Sequence, residues 1–313
     1  MNTHSESFDT TAQDPVTPDW IALDWNMDGL RAWAMAEDGT VLDDRRSDLG
    51  SAALDAAGFE PALRALVWDW QLPSPCLVLA CGSVGARHGW AEAPYARVPC
   101  SPLGDGLTIA PAGDGLDLRI VGGLGQDKPA DVMRGEETLI AGYLAGRPDF
   151  DGVVCLPGDQ TRWAHVSAGE VVSFQTAMTG ELFALLASES ILRLTLEPGG
   201  RDDPAFDAAV GETMSRPEAL ASRMFALRAE GLLNAMPPET ASARLMGLLL
   251  GAELAASRPY WLGREVALVG EGDAMRLYAR ALEGQGVQVT VVPPDPLITA
   301  GLTAARARLK GAA

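Results

Sequence analysis

IALDWNMDGLRAWAMAEDGTVL, residues 21–42, and GVVCLPGDQTRWAHVSAGEVV, residues 152–172, read as two copies of one unit. Each sets out an apolar strand, a Gly-containing polar turn and a second strand, marked by Arg31 and Trp33 in one copy and by Arg162 and Trp163 in the other. Gly39 and Gly169 follow those tryptophans at the same interval, and a third short strand comes next. A duplicated unit of this kind fixes the architecture before any local motif does. Amphipathic hairpins with Gly turns are common, so the remaining chain has to carry the reading as well.

Outward from the first hairpin, the spacing of Leu, Ala and Phe predicts a helix over 51–66, and CLVLACG (76–82) predicts a buried strand ending in a Gly-rich turn. Short apolar pieces broken by Gly, Pro and Asp predict a β-rich excursion over 98–123, and a helix starts near Gly135 and runs through ETLIAGYLAG. GRPDFDG (146–152) marks a boundary. The expected organisation is a disordered leader over 1–17, an N-terminal lobe over 18–148 and a C-terminal lobe over 149–313. After its hairpin the second lobe turns mainly helical from Gly180 to Ser257. Val266–Val292 then reads as a βαβ unit, and a last helix from Pro296 to about Leu309 returns towards the first lobe.

Composition excludes several function classes. The chain has 313 residues, a formal net charge of −18 and a sequence pI near 4.5. An acidic surface attracts neither nucleic acid nor anionic membrane, so an anionic substrate has to meet a local arginine cluster. Cys76, Cys81, Cys100 and Cys155 lack C-x-x-C spacing and read as reduced thiols, three of them in apolar runs. No basic and apolar signal opens the chain and no apolar run has the length of a membrane span, which together suit a cytoplasmic enzyme. GEGDAM (270–275) lacks the third Gly of a dinucleotide fingerprint, and no Walker loop or G-x-S-x-G elbow occurs. The only histidines, His4, His88 and His165, form no zinc-like cluster.

Several residues carry candidate chemistry. Asp24 ends the first strand and projects into a turn, either to hold Mg²⁺ or to cap its own backbone. In GSVGARHGWAEAPY (82–95), Arg87 suits a bidentate carboxylate clamp and Trp90 a sugar face, with His88 between them; the plain alternative is an ordinary loop whose tryptophan plugs the core. VMRGEET (132–138) puts Arg134, Glu136 and Glu137 at the mouth of a helix, where acids serve as caps or, functionally, as the base for a substrate hydroxyl.

Taken together, IALDW…LRAW, GSVGARHGWAEAPY, VMRGEET, LPGDQTRW, TGELFALL, LLLGAEL and LVGEGDAMRLYARAL resemble, in order and spacing, the 2-dehydro-3-deoxygalactonokinases, bacterial sugar-acid kinases of the actin-like ATPase superfamily. The resemblance runs from Trp20 to Leu309 and implies an α/β, duplicated ribonuclease H-like fold whose two turns face ATP across an interdomain cleft. It implies phosphorylation of 2-dehydro-3-deoxy-D-galactonate at its 6-hydroxyl in galactonate catabolism, with ATP and Mg²⁺. It also implies roles. Asp24, Glu136 and Arg134 are catalytic, with Asp24 on the metal. Asn26, Asp28, Gly29, Gly158, Asp159, Thr161, Arg162, Gly270 and Gly272 hold nucleotide. Arg87, His88, Trp90 and Arg134 hold the sugar acid. The turns depart from the family pattern: a Gly, a Thr and a small hydroxyl residue after Asp-Trp become Asn26, Met27 and Asp28, and Thr-His-Ser-Lys becomes Asp159, Gln160, Thr161 and Arg162. Each turn thereby gains a carboxylate, which opens an alternative: a family member that binds a sugar acid without phosphoryl transfer.

Overall fold

The computed structural model describes residues 15–197 and 199–311. Most of the expected leader therefore lies outside the described residues; Val16 and Thr17 are bonded to Gln71. The chain divides into two compact units, one made of the residues up to Glu92 with Ile109–Ile120, the other of Ala93–Thr108 and the residues from Val121 onward.

In the first unit the hairpin is β1 (Trp20–Trp25) and β2 (Leu30–Met35), followed by β3 (Val41–Ser47). The predicted helix over 51–66 is shorter, because residues 51–53 make only a 3₁₀ turn before α1 (Phe59–Leu66). β4 (Cys76–Cys81) lies parallel to β1. The chain passes through β5 (Tyr95–Arg97) in the second unit and returns to the first along β6 (Leu107–Ala110) before β7 (Leu116–Val121). The expected excursion over 98–123 thus ends in a principal strand, β7, parallel to β4. The sheet order is β3-β2-β1-β4-β7-β6, with β2 antiparallel to both of its neighbours.

The second unit adds β8 (Gly123–Asp127) and β9 (Ala130–Met133), which with β5 form a three-stranded sheet, then α2 (Glu136–Gly146). The second hairpin is β10 (Gly152–Leu156) and β11 (Thr161–Ser167), followed by β12 (Glu170–Ala177). The helical stretch resolves into α3 (Thr179–Glu189), α4 (Asp203–Ser215), α5 (Leu220–Asn234), α6 (Pro238–Ala256) and the short α7 (Arg258–Trp261). The chain closes with β13 (Val266–Val269), α8 (Gly272–Glu283), β14 (Val289–Val292) and α9 (Asp295–Gly311). Its sheet order, β12-β11-β10-β13-β14, repeats the 3-2-1-4-5 order of the first, with only the second strand antiparallel. That shared order is the ribonuclease H-like arrangement, so the duplication seen in sequence is a duplication of fold.

Strands buried on both faces explain the near-continuous apolar runs of β10 and β13. Val153, Cys155, Trp163, Val266 and Leu268 face α4, α6 and α8, whereas Val154, Leu156, Ala164 and Ala267 face α2, Phe150 and Leu297. α9 packs along α2 within the second unit. A Cβ on Gly142 would collide with the Leu297 carbonyl, and one on Gly301 with that of Thr138. Compactness therefore groups α2 with the second unit, whereas the sequence alone assigns it to the N-terminal lobe, 18–148.

Candidate active site

Asp24 sits next to the end of β1, paired across the hairpin with Arg31 and half-buried between the fully buried Leu23 and Trp25. The Asn26 side-chain amide donates to Asp24 Oδ2 at 3.0 Å, and the Cys81 thiol donates to Asp24 Oδ1 at 3.6 Å. The turn closes through Asn26 N–H to the Gly29 carbonyl at 2.9 Å. It is held from outside by Ser51 N–H on the Asn26 carbonyl (2.9 Å), Ala52 N–H on that of Met27 (3.2 Å) and the Trp25 indole on that of Leu49 (3.0 Å). Gly29 is half-buried, while Met27 and Asp28 stand exposed at the tip. Among the described residues, no three His, Cys, Asp or Glu side chains gather as a metal cage. A single carboxylate beside a ligand's own phosphates is the donor set Mg²⁺ ordinarily uses, so Asp24 fits that ion.

After β4, Arg87 and His88 are exposed. Trp90 is placed otherwise than expected. It is 7% exposed, stacked on Phe59 (centroids 6.0 Å), edge-on to Trp25 (6.3 Å), and its indole donates to the Pro111 carbonyl at 3.0 Å. Its ring belongs to the core beneath the first turn, because two aromatic partners and a backbone acceptor satisfy it completely.

In the second unit the turn and the VMRGEET segment come together. Arg162 donates to the Gln160 carbonyl (2.7 Å) and to its side-chain oxygen (3.0 Å), and its Nε lies 3.4 Å from Glu136 Oε1. Gln160 in turn donates to Glu181 Oε2 at 3.2 Å, and Glu181 N–H to the Asp159 carbonyl at 2.9 Å. Gly158 and Asp159 are exposed on the start of α3. Thr161 needs a correction: it is fully buried and its hydroxyl is bonded to the Tyr278 hydroxyl at 2.7 Å, so it is not a side-chain ligand for nucleotide.

Arg134 and the two glutamates differ sharply in state. Arg134 lies over the Tyr95 ring (4.4 Å) and donates through one terminal nitrogen to the Ala93 carbonyl at 2.7 Å. Its Nε and other terminal nitrogen are buried without a hydrogen-bond partner among the described residues. These two nitrogens serve acceptors singly rather than as a fork, since both forked edges of a guanidinium share the terminal nitrogen that Arg134 has placed on Ala93. Glu136 is half-buried, accepts from Arg134 N–H at 3.0 Å and meets Arg162. Glu137 is wholly buried, accepting from Gly135 N–H at 2.6 Å and from the Thr138 hydroxyl at 3.2 Å. Burial first, and Glu136 second, push its carboxyl up to about 8. At neutral pH Glu137 is therefore a neutral cap.

A cavity of about 190 Å³ opens among α3, α4, α6 and α8, with Phe183, Phe206, Met246 and Leu277 in its wall and Arg201 and Arg276 at its rim. Gly270 (φ 155°) and Gly272 (φ 78°) shape the turn into α8, but Asp273 and Ala274, just beyond them, line the cavity. Sequence reasoning missed Glu253, buried on α6, which accepts from the Trp163 indole at 2.7 Å and the Tyr278 hydroxyl at 2.8 Å. The available signal was a lone acid inside the apolar run LLLGAEL.

Residues 24–305 match the model of the family described as 2-keto-3-deoxy-galactonokinase. The chain belongs to this family. It is 35% identical over 294 residues to the "Probable 2-dehydro-3-deoxygalactonokinase DgoK1" of Rhizobium meliloti (strain 1021), covering 91% of this chain and 96% of that one. It is 34% identical over 292 residues to the 2-dehydro-3-deoxygalactonokinase of Escherichia coli (strain K12), covering 92% and 97%. The crystal structure of a "putative 2-dehydro-3-deoxygalactonokinase protein" from Sinorhizobium meliloti superposes with a TM-score of 0.84 at 35% identity, covering 93% of this chain and 96% of that chain. The family match takes in both hairpin turns, the VMRGEET segment and the α8 turn.

Proposed function

We propose that this protein transfers the γ-phosphoryl group of ATP to the 6-hydroxyl of 2-dehydro-3-deoxy-D-galactonate. The observation that carries the reading is the meeting of Arg162 with Glu136, which joins a phosphate turn to the helix mouth that also holds Arg134. Glu136 takes the proton from the attacking hydroxyl. Arg134, with its unspent donors, binds the acid group of the sugar. Arg87 and His88 add exposed polar contacts on the first unit's loop. Gly158, Asp159 and Arg162 on the second turn, and Asn26, Asp28 and Gly29 on the first, hold phosphate, and the cavity beside α8 takes the adenine. Asp24 would hold Mg²⁺, which when bound neutralises phosphate charge and orients the group transferred.

Binding of a sugar acid without phosphoryl transfer, the alternative raised by Asp28 and Asp159, is not favoured by the family match. No described helix is long and apolar enough to cross a membrane, and a cytoplasmic location accords with that. The test is calorimetric titration of the protein with ATP and Mg²⁺, with and without 2-dehydro-3-deoxy-D-galactonate, coupled to an ADP assay. Sugar-dependent ADP release is expected. Sugar-acid binding with no nucleotide heat and no ADP would overturn the assignment.

A further inference from the structure

Four of the segments quoted from the sequence converge on one buried carboxylate that no step above uses. Glu253, on α6, is 7% exposed and takes hydrogen bonds from the Trp163 indole, the Tyr278 hydroxyl and the Thr179 side chain. Three donors on two oxygens is the complement an ionised carboxylate can satisfy and an apolar residue cannot. Burial raises the Glu253 carboxyl and the three donors oppose that rise.

The partners flank the second turn on both sides. Thr161, the residue that ends the turn, is bonded through its hydroxyl to Tyr278, and Trp163 follows it on β11. Thr179 opens α3, and the next residue, Gly180, packs so closely on the Gly158 carbonyl and the Asp159 Cα that a Cβ would collide with them. We propose that Glu253 is a positioning residue for phosphoryl transfer: by gripping Thr161 through Tyr278 and α3 through Thr179, it fixes the backbone of the turn from Gly158 to Gln160 where nucleotide phosphate docks. This rests on the kinase reading. Glu253 touches no substrate. It acts through a turn whose displacement by a fraction of an ångström is felt at the reacting atoms.

The test varies ATP and sugar acid separately in steady-state assays of the wild type, Tyr278→Phe, Glu253→Gln and Glu253→Ala, with nucleotide affinity measured by calorimetry and folding by thermal melts. Tyr278→Phe keeps the ring and removes only the hydroxyl links, so it is expected to raise KM for ATP about tenfold while KM for the sugar acid stays within about twofold. Glu253→Ala is expected to raise it further. Glu253→Gln, which can still accept from Trp163 while Tyr278 turns to donate to Thr161, recovers to within about threefold of wild type. Should Glu253→Ala fail to fold, Tyr278→Phe and Glu253→Gln decide. Equal losses towards both substrates, or a lowered melting point with unchanged KM for ATP in Tyr278→Phe, would overturn the proposal. A wild type that neither binds nor consumes ATP would overturn the kinase reading instead.

Discussion

Glu137→Gln gives the sharpest test of the electrostatics at the mouth of α2. The carboxyl is raised from 4.5 to about 8, chiefly by burial and secondarily by Glu136. Between those pH values the native protein keeps a proton that the unfolded chain has already released. Stability therefore falls as pH rises through this window, by about 1.4 kcal/mol per pH unit. From pH 5 to pH 7 the wild type should lose about 3 kcal/mol through this one group. Glutamine keeps the acceptor for Gly135 N–H, offers its NH₂ to Thr138 and cannot ionise, so the variant lacks that slope. Urea unfolding of both proteins at pH 5, 6, 7 and 8, compared through a shared m-value, should show similar midpoints at pH 5 and a variant more stable by about 3 kcal/mol at pH 7. Parallel midpoints across that range would refute the assignment of Glu137 as a neutral buried acid.

Asp24→Asn should cut turnover about 100-fold or more while sugar-acid affinity, read by calorimetry, stays put. Trp90→Phe should lower stability by about 1 kcal/mol through loss of the bond to Pro111, with KM for the sugar acid unchanged; a large rise in that KM would return the ring to the substrate. Met246→Trp should fill the cavity beside α8 and weaken ATP about tenfold, measured against inorganic triphosphate, which should bind as before. Asp28→Asn and Asp159→Asn each remove a charge from a phosphate turn and should tighten ATP by about 1 kcal/mol apiece. A loss of affinity in either would instead mark that carboxylate as a metal ligand.

The fold was legible because both hairpins carry strand periodicity and end in Gly turns, and because the βαβ unit at the end of the chain is punctuated at both junctions. What misled was local. The stretch 51–66 has helical spacing, yet Leu54 is extended (φ −120°, ψ 148°) and ends the 3₁₀ turn at residues 51–53, so the helix begins only at Phe59. β7 is broken by polar residues and looked like an excursion, since Asp117 and Arg119 pair with each other at 2.7 Å and so tolerate a sheet position. Trp90 and Thr161 had the right chemistry for a ligand, but their partners, Phe59 and Tyr278, lie far off in sequence. The state of Glu137 is invisible for the same reason: two adjacent glutamates at a helix start differ only in which one the tertiary structure buries.

The register of the hairpins shows where the two copies of the duplicated unit diverge. Asp24 pairs with Arg31 in the first copy, and the position opposite Arg162 in the second is Leu156. The carboxylate that suits a cation therefore exists in one copy only. Beyond that pair the copies diverge again: Trp33 follows Arg31 by two residues and shares its strand face, with the Arg31 guanidinium 4.6 Å from its ring. Trp163 follows Arg162 directly and points the opposite way, into the Glu253 cluster, which frees Arg162 to reach Gln160 and Glu136. The second turn also rests on the start of α3, whose positive end favours an anion, whereas the first rests on a 3₁₀ turn whose N–H groups are already spent. On the proposed kinase reading, a chain of net charge −18 would manage a polyanion with few cationic side chains by giving the metal to Asp24 of the first hairpin and the phosphate to the oriented backbone of the second. Side-chain changes at the turn tips, Met27, Asp28 and Asp159 among them, leave both of those devices in place.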